Sequence, residues 1–404
     1  MKNVKMSLMA ALLLGSSVYA FDNTEVTGDA RLYYSTFDGK DADLFGKASS
    51  TADAGIRLGV TTDVNENVKA GVTGYAVSTM GLEYQVVSNV WSGAHLNEAG
   101  DLEYPTTGWF AEAWLEASFG KTTAKGGRIE FASPLIFSEQ WDIAPNTFEA
   151  AVLTNTDLPD TTVTAAWLAN GNGFSQFLLV DTQGEFSPLG EQGAVVLGIN
   201  NNSWEPLALQ GWYYSMTDYM QAYWLQADLS IEGFVAGVQY GVMNPYDVYS
   251  TADDSTALGF KLGYEGIENL GLYASYSTTD KDGDQYMGNI ATRPGEGWGM
   301  QSPLYTEAWW NFGYVGLPGT DAYNVTATYN MPDVADLGLF YTNIDTDGGA
   351  GAAYFKNTVT EVTFTAGKSF GNLDALFAYI YADDDAINDG DAYNTLQLYL
   401  TYNF

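Results

Sequence analysis

The chain has 404 residues, 50 acidic against 15 basic side chains, a formal net charge of −35 and no cysteine. Such a charge repels the phosphates of nucleic acid and excludes that class of partner. No stretch beyond the first twenty residues approaches the roughly 18 consecutive apolar residues of a transmembrane helix, so any membrane span must be β.

Residues 1–20 carry Lys2 and Lys5, then the apolar run Leu8 to Leu14, then small Ala20 before Phe21. This pattern predicts a secretory signal peptide, leaving 21–404 as one mature domain. The mature part is rich in Tyr, Phe, Trp and Gly, residues that build aromatic girdles and relieve crowding in barrel walls.

Alternating segments follow one another near 26–37, 54–62, 67–80, 108–119, 124–131, 148–155, 161–169, 193–200, 206–216, 219–229, 233–242, 255–265, 270–278, 321–330, 336–345, 357–369, 373–382 and 393–403. They number eighteen, and an even count suits a single-chain bacterial barrel. Short links such as 201–205, 230–232 and Gly371-Asn372 alternate with the longer segments 38–53, 81–107, 132–147, 170–192, 243–254, 279–320, 346–356 and 383–392. Thr217-Asp218 is the exception, a two-residue link where a long one is due. The expected fold is all-β: a transmembrane antiparallel β-barrel of about eighteen strands with short periplasmic turns and long extracellular loops. A soluble secreted β-sandwich or solenoid is the competing reading.

The faces follow from the two-residue period. Ile56, Leu58 and Val60 alternate with Arg57, and Val68, Ala70 and Val72 with Lys69. Trp109, Ala111, Ala113, Leu115 and Phe119 oppose Glu112 and Glu116, while Ile129 and Phe131 oppose Arg128 and Glu130. Further on, Leu258, Phe260 and Leu262 oppose Lys261, and Val362 and Phe364 oppose Glu361. In the last strand Leu396, Leu398, Leu400, Tyr402 and Phe404 share one face, and Thr395, Gln397, Tyr399 and Thr401 the other. A charge facing lipid at mid-depth costs about 2–4 kcal/mol, so the charged residues are expected in a wet lumen. On this reading Asp29, Arg31, Arg57, Lys69, Glu112, Glu116, Arg128, Glu130, Asp228, Lys261 and Glu361 line the pore and tune which solutes pass. Alternatively, they pair with one another and stiffen the wall.

The run Gly120 to Leu135, containing Gly127-Arg128 and Ser133-Pro134-Leu135, leads into Trp141-Asp142-Ile143-Ala144-Pro145-Asn146-Thr147-Phe148-Glu149-Ala150. Over residues 120–170 this resembles the OprD-like porin family, especially its epsilonproteobacterial members. The resemblance implies an eighteen-stranded barrel and a homotrimer. It also implies a loop, 132–147, that folds inward to narrow the pore and carries Asp142, and it places Arg128 in a row of lumen arginines. Two departures stand out: Ile143 follows Asp142 where the family often has Arg, and the basic row is sparse. A broad, acid-rimmed, mildly cation-preferring pore is therefore expected rather than a dedicated carboxylate channel.

Other chemistry finds little support. His95 is the single histidine and cannot build a His-rich metal site. A carboxylate-pair hydrolase on Glu112 and Glu116 lacks a third partner. Asp280, Asp282 and Asp284 are spaced like the start of a calcium loop, but Gln285 replaces the turn glycine. These acids, with Asp253-Asp254 and Asp383-Asp384-Asp385, read as solvated loops that can bridge to lipopolysaccharide through divalent ions. The expected partners are outer-membrane lipid and lipopolysaccharide, ions and small hydrophilic solutes. Neither enzyme activity, cofactor nor resident metal is expected. A substrate-selective channel for organic acids or amino acids and a surface adhesin are the alternatives.

Overall fold

The structure, a computed structural model, describes residues 22–40, 42–46, 49–78, 95–96, 102–103, 107–141, 143–173, 186–246, 253–292, 301–347 and 356–404. The expected signal peptide and Asp142 lie outside the described residues.

Eighteen strands form one closed antiparallel wall. In chain order they are β1 (Asp22–Asp38), β2 (Ser50–Asn65), β3 (Val68–Ser78), β4 (Thr107–Phe119), β5 (Thr122–Ile129) and β6 (Phe148–Asn155). Then come β7 (Thr161–Gly171), β8 (Ala194–Trp204), β9 (Leu207–Met216), β10 (Met220–Ile231), β11 (Phe234–Pro245) and β12 (Ser255–Ile267). The last six are β13 (Leu270–Thr279), β14 (Thr320–Met331), β15 (Ala335–Thr346), β16 (Asn357–Phe370), β17 (Leu373–Asp384) and β18 (Tyr393–Asn403). A two-residue strip, Ser187–Pro188, adds to the end of β7, and His95–Leu96 pairs with Leu102–Glu103 apart from the wall.

Each strand pairs with its sequence neighbours, and β1 pairs with β18 from Asp29 opposite Asn403 to Asp38 opposite Asn394. Phe404 and Gly28 exchange both backbone hydrogen bonds at 2.9 Å, which seals the seam at the turn end. Closure leaves no sheet edge, the condition for β-structure in hydrocarbon. The link after β9 is as short as its sequence implies: Met216 pairs with Met220, and Tyr219 N–H donates to the Met216 carbonyl.

Leu262 in β12 is 68% exposed and Phe260 46%, whereas Lys261 between them bonds inward. The apolar face of this strand therefore meets lipid and its polar face the lumen. The same holds for Leu396 to Phe404 against Gln397 in β18, and for Phe364 against Glu361 in β16, because Gln397 and Glu361 both hold a segment lying inside the barrel.

Two segments occupy that interior. Residues 130–141 and 143–147, between β5 and β6, form the first, and Leu135 N–H donates to the Tyr214 hydroxyl of β9 at 3.2 Å. They also reach Gly55 of β2, where an added Cβ would stand 3.2 Å from Ile143 Cγ1, so glycine allows the close approach. Residues 280–292 and 301–319, between β13 and β14, form the second, and the latter touch Asp228 of β10 and Gln397 of β18, on nearly opposite sides of the wall. Sequence reading takes this second stretch for an outer loop; the structure turns it inward. An eighteen-stranded barrel is too wide for wall side chains alone to fill, and its aromatic, weakly charged middle supplies the apolar surface that does so.

One prediction concerns the lipid face. Leu262→Lys should destabilise the barrel by about 2–4 kcal/mol in urea titrations of refolding into bilayers, because it places a charge mid-wall in hydrocarbon. An unchanged midpoint would put Leu262 elsewhere.

Candidate functional site

The candidate site is the lumen where the two inner segments meet the wall. They are joined to each other first. Ile290 N–H donates to the Leu135 carbonyl at 2.9 Å, and Asn289 Nδ2 donates to the Phe137 carbonyl at 2.9 Å. Glu139, fully buried, accepts from Asn289 Nδ2 and Thr292 Oγ1 at 2.9 Å each and from Trp141 Nε1 at 3.0 Å. Several donors focused on one carboxylate make this the polar centre of the junction.

The second segment is then pinned to the wall. Glu361 of β16 accepts from Trp309 N at 2.8 Å, Trp310 N at 3.2 Å, Asn311 N at 2.8 Å and Asn311 Nδ2 at 3.0 Å. Trp309 Nε1 donates to Gln397 Oε1 at 3.0 Å, and Tyr305 OH to Asp228 Oδ1 at 2.7 Å. Asp228 also takes Lys261 Nζ at 3.1 Å, and that ammonium lies 4.3 Å above the Tyr305 ring. Lys261 and Glu361 thus face the lumen as expected, but they hold the segment in place and are not free charges along a path.

On the far side of the lumen Asp29 is buried between two arginines, with Arg31 Nε at 2.7 Å and Arg57 Nε at 2.6 Å. Register puts Asp29 opposite Arg57 on one face. Tyr33, Tyr75 and Trp109 join that face, with Tyr33 packed on Tyr399 at 4.6 Å between centroids and Tyr75 stacked on Trp109 at 6.0 Å. Glu130, just past the end of β5, accepts from Gln140 Nε2 at 2.9 Å. Nearer the turn end Lys69 stands opposite Glu116, which stands opposite Lys125, and Glu112 lies on the same side opposite Thr73.

Two expectations fail, the first because inner segments make part of the lumen apolar. Arg128 was expected inside, yet its neighbour Ile129 is the buried residue, packed with Leu135, Ile136 and Phe148. Arg128 projects from the outer face near the loop end, where Nη2 meets Glu149 Oε1 at 2.9 Å and the guanidinium covers Phe186 at 4.2 Å. Asn170 Nδ2 completes the group on Glu149 Oε2. Close to the membrane interface such a paired charge costs about 0–1 kcal/mol. Trp109 and Ala111, expected toward lipid, belong to the inner cluster with Ile143 and Ala144. Here a bulge intervenes: Glu112 opposes Thr73 and Phe110 opposes Gly74, so Ala111 has no partner of its own and the alternation shifts.

Between the inner segments and the wall of β15 to β18 lies a cavity of about 830 Å³. Trp141, Trp309, Trp310, Phe312, Phe340 and Tyr399 line it, with Gln140, Gln301 and Glu307. Burial, with the charge of Glu139 beside it, pushes the Glu307 carboxyl up to about 8, against the opposing effect of the Ser302 N–H that it accepts. Sequence reading did not single out Glu307, Glu139 or the tryptophans at 309–310; the adjacent pair Trp309-Trp310 in a supposedly solvated loop was the available signal. Among the described residues no group of three or more His, Cys, Asp or Glu could hold a metal ion.

No family model matches the sequence, and no curated protein matches it. Solved structures do match. Pseudomonas aeruginosa OccK9 (OpdG) is 13% identical with a TM-score of 0.74, covering 95% of this chain and 99% of that one. Pseudomonas aeruginosa OccK8 (OprE) is 14% identical with a TM-score of 0.73, covering 95% and 98%. Pseudomonas aeruginosa OpdK, solved with vanillate, is 12% identical with a TM-score of 0.73, covering 95% and 99%. At such identities the likeness is one of fold, and it spans the whole barrel.

Two outcomes test the site. Glu361→Ala leaves the N–H groups of residues 309–311 without their acceptor, at about 1–3 kcal/mol for each donor that stays buried. Thermolysin should then cut within 301–312 at least tenfold faster than in the parent protein, and equal rates would show that the carboxylate is not the anchor. Glu307 binds its proton more tightly folded than unfolded, so its contribution to stability is complete below pH 4.5 and is lost as pH rises through about 8. Denaturation midpoints should fall across that window, and Glu307→Gln should flatten the fall.

Proposed function

We propose that this chain is an outer-membrane porin of the OprD-like type, passing ions and small hydrophilic solutes down their gradients without cofactor or energy input. The observation that carries the reading is a closed barrel with a lipid-facing apolar wall whose lumen is narrowed by inner segments and bordered by ionised side chains. The strand–turn rhythm and the resemblance over residues 120–170 support it, as does the fold shared with the Pseudomonas structures. On this reading the protein sits among outer-membrane lipid and lipopolysaccharide as a homotrimer, with the low rim at residues 217–219 turned toward a neighbouring subunit. The acid-rich links between strands concentrate cations at the mouth and give mild cation preference.

A second reading has its own support. Two inner segments border a cavity of ligand size inside the wall, which favours a solute-selective channel over a wide unspecific one. The OpdK structure carries vanillate, and an organic acid is one solute class to try on this chain.

Purified protein in a planar bilayer under a salt gradient should give stepwise conductance and a cation-biased reversal potential. Replacing Glu112, Glu116 and Glu130 together with Gln should move that potential toward anions. Steps that persist with an unbiased, unmoved potential remove the cation preference, and saturation by one solute selects the second reading. A folded barrel without conductance removes both and leaves a surface-binding role.

A further inference from the structure

The cavity beside β15 to β18 has a particular chemistry. Trp141 and Trp309 are fixed plates: each indole N–H is spent on an acceptor, Glu139 Oε2 for one and Gln397 Oε1 for the other, both at 3.0 Å. Trp141 is braced by Phe312 and Trp309 by Phe340, at 5.7 Å between ring centroids in both cases. Trp310 lies next to them, its backbone held by Glu361 and 38% of the residue open.

Among the described residues, the polar groups between these rings are uncharged at neutral pH. Gln140 and Gln301 offer amides and Thr401 a hydroxyl. Glu307, with its carboxyl raised to about 8, is mostly protonated at neutral pH and donates as well as accepts. Charged lining is confined to the turn end and is already engaged: Lys368 Nζ donates to the Asp333 carbonyl, and Asp374 accepts from Ser369 Oγ and Asn403 Nδ2. Arg31, the cation nearest in register because it opposes Thr401, is tied to Asp29.

We infer that this cavity is a binding site for neutral, hydroxylated ring solutes, the chemistry of a sugar. Flat aromatic faces take the C–H faces of such a ring, whose weakly positive hydrogens meet the negative face of the indole. The amides and the carboxylic acid take its hydroxyls, each of which needs a partner once out of water. Among the described residues, an anion finds no uncommitted cation in the deep half of the cavity. An organic cation finds a largely protonated acid there, so only the ring faces attract it. The volume, about 830 Å³, suits one or two sugar rings. This deepens the porin reading, which supplies the route of entry.

The test uses the full chain in two formats. In planar bilayers maltose, benzoate and tetramethylammonium are titrated separately against the salt current; in detergent, maltose is titrated against tryptophan fluorescence. Maltose should reduce the current saturably with a half-effect at least tenfold below that of either ion, and should change the fluorescence over the same range. Trp310→Ala should weaken both effects at least tenfold. Normal conductance with no saturable maltose effect overturns the sugar site and leaves the porin standing. Equal or tighter block by benzoate or tetramethylammonium overturns it too, as does a Trp310→Ala protein that binds like the parent. Absence of conductance overturns the porin reading, and the fluorescence titration then decides the site alone.

Discussion

In hydrocarbon no water replaces a missing backbone partner, so every strand must have a neighbour on both sides. Seventeen of the eighteen contacts in this wall join strands adjacent in sequence; the seam between β1 and β18 is the one that does not. Its register sets the face of everything beside it. Arg31 opposes Thr401 and Tyr33 opposes Tyr399, which turns Asp29, Arg31 and their partner Arg57 to the lumen. A slip of one residue would send that ionised group into lipid. The aromatic carboxyl terminus serves the same seam, with Phe404 bound reciprocally to Gly28 and its ring on the outer face.

A barrel of this width leaves an interior that wall side chains cannot close, and the chain fills it with residues 130–141, 143–147, 280–292 and 301–319. These segments carry apolar surface, so the wall beneath them becomes apolar on its inner face: Tyr214, Met216, Met220 and Trp224 are buried against them. The hydropathy beat therefore has two regimes. Along β12 and β18 it separates lipid from polar lumen. In the upper part of β5 and β6 it separates a packed interior from an outer surface near the rim, where Arg128 and Glu149 pair.

That difference explains what the sequence could convey. Strand number, the alternation of short and long links and the faces of Lys261, Glu361 and Gln397 are legible because each depends only on a local period of two. Arg128 is not, because its side depends on whether Ile129 meets lipid or Leu135, a contact with a segment that local pattern does not place. Trp109 is lost to a bulge at Ala111, one unpaired residue with no marker of its own in the sequence. For 280–319 the length is legible and the direction is not; its composition argued for burial, since Tyr305, Trp309, Trp310 and Phe312 are poor residues for a solvated loop.

The charges of the chain divide between the mouth and the interior. Asp29 is shared by two arginines, Asp228 is met by Lys261, and Glu361 is covered by backbone donors, so these charges are engaged by the wall and its inner segment. The acidic excess lies instead in the segments that join strands, such as Asp280 to Asp284 and Asp253-Asp254. There water and salt screen it over about 8 Å at physiological ionic strength. On the porin reading charge acts at the mouth, on the local concentration of ions, and weakens as salt rises. Deeper in, where Trp141, Trp309 and Trp310 face amides and a protonated acid, discrimination depends on shape and hydrogen bonding, which salt screens far less.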